Sequence, residues 1–171
     1  MMITDLTYKY INFSQIGDFM IKKTLLAMSV AIPLVISGCA GSNTKPMSAE
    51  DRSQISKLCI MMPEKYDKRM SKEYGDLIVQ IAKDKNLNTE TVFSKSQAED
   101  KNCSHFLKYS TRSKKPHLTK FIHLSFYRIA PNVNSHPRIA EATIREKLDL
   151  KEEHQKAYDI VNTSFTKMLG Y

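Results

Sequence analysis

A short apolar segment behind two lysines constrains this chain most, because it decides the compartment in which the rest must fold. Lysines at 22–23 precede the mostly apolar run 24–36, and the small residues Ser37 and Gly38 follow it. A basic start, an apolar core and a small-residue end are typical of an export signal. The run is shorter than the roughly 20 residues that span a bilayer as a helix, and Pro33 interrupts it. We therefore expect a cleaved leader, with a plain transmembrane anchor as the alternative.

The end of this segment resembles the lipobox of bacterial lipoproteins. Ile36-Ser37-Gly38-Cys39 has the small residue and the obligatory Cys of that motif, with Ile where Leu is commonest. The resemblance implies that the Cys39 thiol receives diacylglycerol, that cleavage precedes Cys39, and that its new amino group is acylated with a fatty acid such as palmitate. Several acyl chains on one residue give stable anchoring, so the resemblance also implies lasting attachment to a membrane.

The residues on either side refine this interpretation. Ala40 follows the Cys, where Asp would favour retention in the inner membrane of a Gram-negative cell. The resemblance therefore implies an outer-membrane lipoprotein whose domain lies in the periplasm. Residues 1–19 place acidic and aromatic side chains ahead of the basic region, so we expect translation to start at Met20 and 1–19 to be an upstream extension. A tolerated long leader is the alternative.

Composition divides the rest of the chain into a linker and one domain. Residues 20–38 form the predicted signal peptide, and 39–49 form a predicted flexible tether of small, polar and Pro residues without periodicity. Residues 50–171 suffice for a single modest core. The 42% apolar and 26% charged content excludes a disordered, collagen-like or polytopic membrane chain.

Two cysteines remain once lipidation has consumed Cys39. In an exported, oxidising compartment this even remainder predicts a disulfide between Cys59 and Cys103. Closing a loop of about 45 residues would contribute about 4 kcal/mol in the chain-entropy model. Two unrelated buried thiols are the alternative.

Hydrophobic periodicity predicts an α+β domain. A mostly antiparallel sheet of four to five strands, with two helices packed on one face, follows from the order β-α-β-β-β-β-α. Residues 138–146 alternate like a strand, although their Ala and Glu content would also suit a helix. The predicted strands are 58–62, 89–94, 103–110, 120–129 and 138–146, and the predicted helices are 64–85 and 151–169, with a polar connection at 96–102 and a turn at 131–137.

Side-chain spacing also predicts which residues face the core. In 120–129, alternation places Ile122, Leu124 and Phe126 inside and His123 and Ser125 outside. In 103–110, we expect Cys103, His105, Leu107 and Tyr109 to share one face. Apolar residues at steps of three and four predict both helices, and Pro63 could open the first.

Motifs that would bring catalysis or a cofactor are missing from the sequence. It has no Gly-rich nucleotide loop, no GxSxG and no HExxH. His117 and His123 lie six residues apart without a nearby carboxylate, so we expect no metal site. Cys103 lies near His105, but the disulfide would remove that nucleophile. We expect no catalytic residue, no cofactor and no enzyme.

Basic residues cluster around one predicted turn. The chain carries a formal net charge of +8, and a periplasmic location makes nucleic acid an unexpected partner. A solvated loop is the default interpretation of this cluster. The functional alternative is docking onto anionic envelope material such as lipopolysaccharide phosphates, acidic headgroups or an acidic protein. The residues of this predicted patch are Lys108, Arg112, Lys114, Lys115 and Lys120.

These patterns predict a compartment and an architecture more directly than an activity. We expect a non-enzymatic, lipid-anchored envelope protein whose domain binds or braces another envelope component. The alternative is a periplasmic binding domain for a small or anionic polymeric ligand. A sheet edge or groove open to solvent would favour the first, and a closed pocket with convergent polar groups would favour the second.

Overall fold

The computed structural model describes residues 42–65, 67, 69–112, 115–130 and 135–171. The predicted extension, signal peptide and lipobox lie outside the described residues, and so does Lys114 of the predicted patch. None of the helices in the described part of the chain is both long and apolar enough to cross a membrane.

Short strands and helices alternate along the chain. In order, the elements are β1 (Asn43–Lys45), α1 (Ala49–Ser53), β2 (Leu58–Met61), α2 (Lys72–Asp84), β3 (Thr89–Val92), α3 (Lys95–Asp100), β4 (His105–Thr111), β5 (Leu118–Thr119), β6 (Ile122–Arg128), β7 (Arg138–Ile144), β8 (Leu148–Asp149) and α4 (His154–Met168). The α+β class is confirmed, whereas the element order differs from the predicted one.

Six of the strands form one mixed sheet in the order β1-β7-β6-β4-β2-β3. β1 pairs antiparallel with β7, β7 with β6, and β6 with β4. β2 pairs in parallel with both β4 and β3. The prediction of four to five strands was therefore wrong. Parallel neighbours need a crossover, and α2 between β2 and β3 and α3 between β3 and β4 lie in the connections that provide it.

The main core lies between one face of this sheet and the helices α2 and α4. The ring of Phe126 on β6 meets that of Phe165 on α4 edge to face, with centroids 5.5 Å apart. Each fully buried aliphatic or aromatic side chain of this kind contributes about 1.5–3 kcal/mol through loss of apolar surface to water. The strands contribute Leu58, Ile60, Leu107, Ile122, Leu124 and Ala142, and the helices contribute Leu77, Ile78, Ile81, Val161 and Met168.

Helix α2 begins later than its apolar spacing predicts. The predicted helix 64–85 is observed only over Lys72–Asp84. Ser71 is its N-cap, because its hydroxyl accepts a hydrogen bond from the N–H of Tyr74. This capping signal at Ser71 outweighs Pro63, which the sequence had suggested as the helix start.

The C-terminal part of the predicted tether 39–49 belongs to the domain. Asn43–Lys45 pairs with β7 as β1, and the side chain of Met47 is buried. The main-chain N–H of Met47 donates to the carbonyl of Met168 at 2.9 Å. The ordered domain therefore begins before the predicted boundary at residue 50.

The polar segment 96–102 forms a helix rather than a loop. Ser94 caps α3 by accepting a hydrogen bond from the N–H of Gln97, and Ala98 is the buried residue of this helix. Asn102 then takes a left-handed conformation with φ of 54°, which turns the chain into β4. Polar composition hid this helix because only one of its side chains enters the core.

Cys59 and Cys103 lie at disulfide distance, with Cα atoms 5.9 Å apart, as predicted. Cys103 precedes β4 and does not share a face with Leu107, contrary to the expectation for this strand. It packs instead in a second, smaller apolar cluster on the opposite side of the sheet, with Cys59, Val92, Ala98 and Phe106.

Strand β7 and helix α4 agree with their predictions. Arg138–Ile144 is a strand, which decides between the two alternatives for that segment. The predicted helix 151–169 is observed as His154–Met168, with Gly170 following in a left-handed conformation at φ of 78°.

Candidate functional site

The face of the sheet opposite α2 and α4 carries polar side chains, and we call it the outer face. Successive strand residues point to opposite faces, so Leu107 and Leu124 point to the helices while their neighbours point away. On β4, β6 and β7 the outer-face residues are Lys108, Ser110, His123, Ser125, Tyr127, Glu141 and Thr143.

The strand register brings these residues into rows. Ser110 pairs with His123, and His123 pairs with Thr143. In the next row Lys108 pairs with Ser125, which in turn pairs with Glu141. Directly opposite residues have Cβ atoms about 4.5–5.5 Å apart, so the rows form one continuous polar surface.

One end of the outer face is covered. Helix α3 and the two cysteines bury the ring of Phe106 there, and Tyr127 stacks on that ring with centroids 4.8 Å apart. Tyr127 thus marks the border between the covered apolar end and the open polar part.

The loop before α2 turns the open part into a groove of about 450 Å³. The carbonyl of Arg69 accepts a hydrogen bond from the N–H of Thr111 at 2.7 Å, which holds the loop against β4. Within the loop, Asp67 accepts from the N–H of Arg69 at 2.7 Å. The groove is lined by Asp67, Arg69, Met70, Lys108, Tyr109, Ser110, His123, Ser125, Tyr127 and Arg138.

Positive charge dominates the groove. Arg69 and Lys108 are exposed, and neither forms an ion pair within the described ranges. Arg138 is neutralised by Glu141 at 2.7 Å. The remaining acid, Asp67, is held by the backbone of its own loop. Two cationic side chains are therefore available to a ligand.

A hydrogen-bonded chain crosses the outer face through the His123 ring. Its Nδ1 lies 2.9 Å from the hydroxyl of Thr143, and its Nε2 lies 3.0 Å from the hydroxyl of Ser125. The ring also stacks against Phe121, with centroids 6.4 Å apart. These contacts fix the orientation of His123 and engage both of its nitrogens.

This chain has the form of a nucleophile and base held by a third group. Acyl transfer through Ser125 would also require hydrogen-bond donors at the developing oxyanion. Ser125 lies in the middle of β6, between β4 and β7, where main-chain N–H groups belong to the sheet ladder. The geometry accounts for a fixed polar surface better than for hydrolysis.

The predicted basic patch is divided between different surroundings. Lys108 lines the groove, whereas the guanidinium of Arg112 lies over the ring of Phe121 at 5.3 Å. Lys115 lines an adjoining depression of about 280 Å³ that shares Asp67 and Met70 with the groove and also contains Glu64 and Glu73. Lys120 is exposed beyond β5. The groove thus shares one residue, Lys108, with the predicted patch.

The buried histidines lie apart from the groove. His105 sits on the inner side of β4, and burial lowers its pKa below the usual value; the Asp51 carboxylate opposes this shift and Arg128 reinforces it. His136 contacts Glu99 at 2.9 Å beside the apolar cluster around Cys59. In the part of the chain that the structure describes, no three His, Cys, Asp or Glu side chains are grouped to hold a metal ion.

Sequence reasoning placed His123 and Ser125 on the solvent side of their strand but missed Arg69. Alternation over 120–129 provided the signal for the first two. Arg69 was assigned to a helix that starts later, so its position against β4 was not foreseen. A Ser at 71, with the acid Glu73 in the turn that follows it, was the available sign of a helix start beyond Arg69.

Comparisons with known proteins give distant structural similarity alone. No family model matches the chain, and no curated protein matches it. The dodecamer of PelC from Paraburkholderia phytofirmans is 11% identical, covering 75% of this chain and 93% of that one, with a TM-score of 0.47. A point variant of that dodecamer is 12% identical, covering 75% and 94%, also with a TM-score of 0.47. We draw no functional conclusion from similarities of this size.

Proposed function

We propose that this protein is a lipid-anchored envelope protein whose domain binds an anionic envelope component through its outer face, without catalysing a reaction. One observation carries the proposal: Arg69 and Lys108 flank an open groove of about 450 Å³ and have no acidic partner in the described chain. Unpaired cations in a concave surface favour association with an anionic partner.

The compartment in this proposal comes from the sequence. The lipobox at Ile36-Ser37-Gly38-Cys39 supports the anchor, and Ala40 supports sorting to the outer membrane with the domain in the periplasm. The Cys59–Cys103 pair supports an oxidising compartment, because disulfides persist there and are rare in the cytosol.

A carrier for a small or polymeric ligand is the second candidate. The groove volume lies within the range of about 300–1,000 Å³ that small-molecule sites occupy. Such sites are mostly apolar and enclose their ligand, whereas this groove is lined mainly by polar side chains on a sheet face. An interaction surface therefore fits the groove better.

The anchor is tested by metabolic palmitate labelling and membrane fractionation. We expect label on the wild-type chain, and we expect Cys39→Ser to be unlabelled and to keep its leader. Cys59→Ser is the matched control, because it removes a Cys from the folded domain and should retain the label. Labelling of the Cys39→Ser chain would contradict the proposed anchor.

The interaction surface is tested by placing a photo-cross-linking residue at Ser110 on the outer face or at Gln80 on the exposed side of α2. In intact cells we expect a defined adduct from position 110 and none from position 80. The adduct should weaken in an Arg69→Gln/Lys108→Gln background. An adduct from position 80 alone would place the interaction on the helical layer and contradict the outer face as the binding surface.

A further inference from the structure

The chemistry of the groove matches one kind of anion better than others. A carboxylate is satisfied by a single Arg, whereas a phosphate monoester carries a charge of about −1.5 to −2 and three acceptor oxygens. The groove presents two unpaired cations, Arg69 and Lys108, with the hydroxyls of Ser110 and Tyr127 nearby. Two charges and several neutral donors correspond to the monoester.

The strand register places the groove close to the attachment point. Asn43 of β1 pairs with Thr143, which pairs with His123, so His123 lies two strand spacings, ~10 Å, from β1. Cys39 precedes Asn43 by four residues, which reach at most ~14 Å. A lipid on Cys39 would hold the groove within ~25 Å of the membrane.

An exposed apolar side chain adjoins the groove. Phe93 is 50% exposed, and in the described chain it is one of two large hydrophobic side chains so exposed. It lines a depression beyond the ends of β2 and β3 that shares Asp67, Arg69 and Met70 with the groove. A cationic groove beside an exposed aromatic side chain is complementary to an amphiphile.

We propose that the groove binds the phosphate monoester headgroup of a lipid in the membrane to which Cys39 is anchored. Arg69 and Lys108 neutralise the phosphate, and Ser110 donates to one of its oxygens. Asp67 remains hydrogen-bonded to the N–H of Arg69, and Glu141 stays with Arg138, so the two unpaired cations outnumber the one carboxylate of the groove lining. This inference rests on the proposed lipid anchor.

Protection of Lys108 from acetylation tests the proposal on the lipidated protein in nanodiscs. The three disc compositions are phosphatidylcholine alone, phosphatidylcholine with phosphatidic acid, and phosphatidylcholine with phosphatidylglycerol at equal surface charge. Lys83 on α2 is the internal control, because it is exposed on the helical layer. We expect Lys108 to be protected by phosphatidic acid alone, while Lys83 reacts equally in all three.

Two variants locate the binding site. One Lys or Arg near an anionic surface is worth about 1 kcal/mol, so Arg69→Gln should weaken the apparent affinity for phosphatidic acid about fivefold. Arg112→Gln removes the same charge from the Phe121 ring, outside the groove lining, and should leave Lys108 protected. Equal loss in both variants would overturn the groove as the site.

Three further outcomes would overturn parts of the lipid-headgroup proposal. Equal protection by phosphatidylglycerol would overturn the preference for a monoester, and equal protection by dissolved inorganic phosphate would overturn the lipid as its source. Protection in native envelopes but never in discs would favour an acidic protein and overturn the proposal. The intact mass of the same preparation reports acylation of Cys39, so a missing anchor and an empty groove give different results.

Discussion

The hydroxyl of Tyr109 on β4 donates a 2.7 Å hydrogen bond to the carbonyl of Ser71, the N-cap of α2. Burial raises the pKa of this phenol, so Tyr109 remains a donor at all physiological pH values. The contact ties the start of α2 to the sheet beside the groove. It also brings the phenol against Gly75, where a Cβ would collide with it and with the Met62 sulfur.

Gly75→Ala is therefore expected to destabilise the domain, although Ala is the better helix former by about 1 kcal/mol. The added methyl would lie 2.6 Å from Met62 Sδ and closer still to the Tyr109 hydroxyl. Overpacking of this kind costs about 1–3 kcal/mol. Urea unfolding measures the loss, and a Tyr109→Phe background should reduce it. A more stable Gly75→Ala protein would contradict the close packing.

The disulfide pair predicts a non-additive mutant cycle. Cys59→Ser and Cys103→Ser each open the same loop, whose ends are 44 residues apart, and should each cost up to about 4 kcal/mol. The double variant should be no less stable than either single one. Thiol titration of the natively expressed protein should find neither cysteine free, and titration of both would refute the pairing.

Because of His105, we expect the domain to become less stable in mild acid. Its Nε2 is buried without a hydrogen-bond partner in the described structure, and its Nδ1 lies 3.0 Å from the Ser104 hydroxyl. Burial lowers the folded-state pKa below 6.5, so the unfolded chain binds the proton first. Stability should decline as pH falls below 6.5 and level off below the folded-state pKa.

The pH effect is measured by urea unfolding across that range in two variants. His105→Phe should flatten the acid decline, because it removes the titrating group. His154→Gln changes an exposed His and should keep the decline. If both variants follow the wild-type curve, another group is responsible.

Removal of the Thr44 hydroxyl on β1 is expected to stabilise the domain. Its hydroxyl is buried and has no hydrogen-bond partner in the described part of the domain. Thr44→Val removes the unpaired group at similar volume and should stabilise the domain by about 1 kcal/mol. Thr143→Val is the matched control, because it removes a hydroxyl bonded to His123 at 2.9 Å and should destabilise. Thermal unfolding of both variants gives the signs.

The proposed non-catalytic function predicts that the Ser125 hydroxyl is unreactive. Its hydroxyl is hydrogen-bonded to His123, and the residue is only 4% exposed. A fluorophosphonate probe should not label the native protein. Label that disappears in Ser125→Ala but persists in Ser110→Ala would instead establish a reactive serine and overturn the non-enzymatic proposal.

Local spacing predicted those elements whose periodicity is long and regular. The alternation of Ile122, Leu124 and Phe126 predicted which side of β6 is buried, and the three-and-four spacing from Ala157 to Met168 predicted α4. These patterns are contained within a single element, so a single stretch of sequence suffices to detect them.

The direction of pairing and the groove depend on contacts between distant segments. Leu58 pairs in parallel with both Thr89 and His105, and nothing in the spacing of these short strands distinguishes parallel from antiparallel neighbours. Arg69 enters the groove because Thr111 bonds to its carbonyl. Such long-range hydrogen bonds leave no local trace in the sequence.

Contacts between the two ends of the domain have a consequence for the proposed export of the chain. β1 pairs with β7, and the Arg52 guanidinium donates to the carbonyls of Leu169 and Gly170 at 2.8 and 2.9 Å. A chain threaded through a translocation pore from its N-terminus has neither partner until almost all of it has emerged. If the chain is exported as proposed, the domain would therefore complete its fold only after both of its ends have emerged.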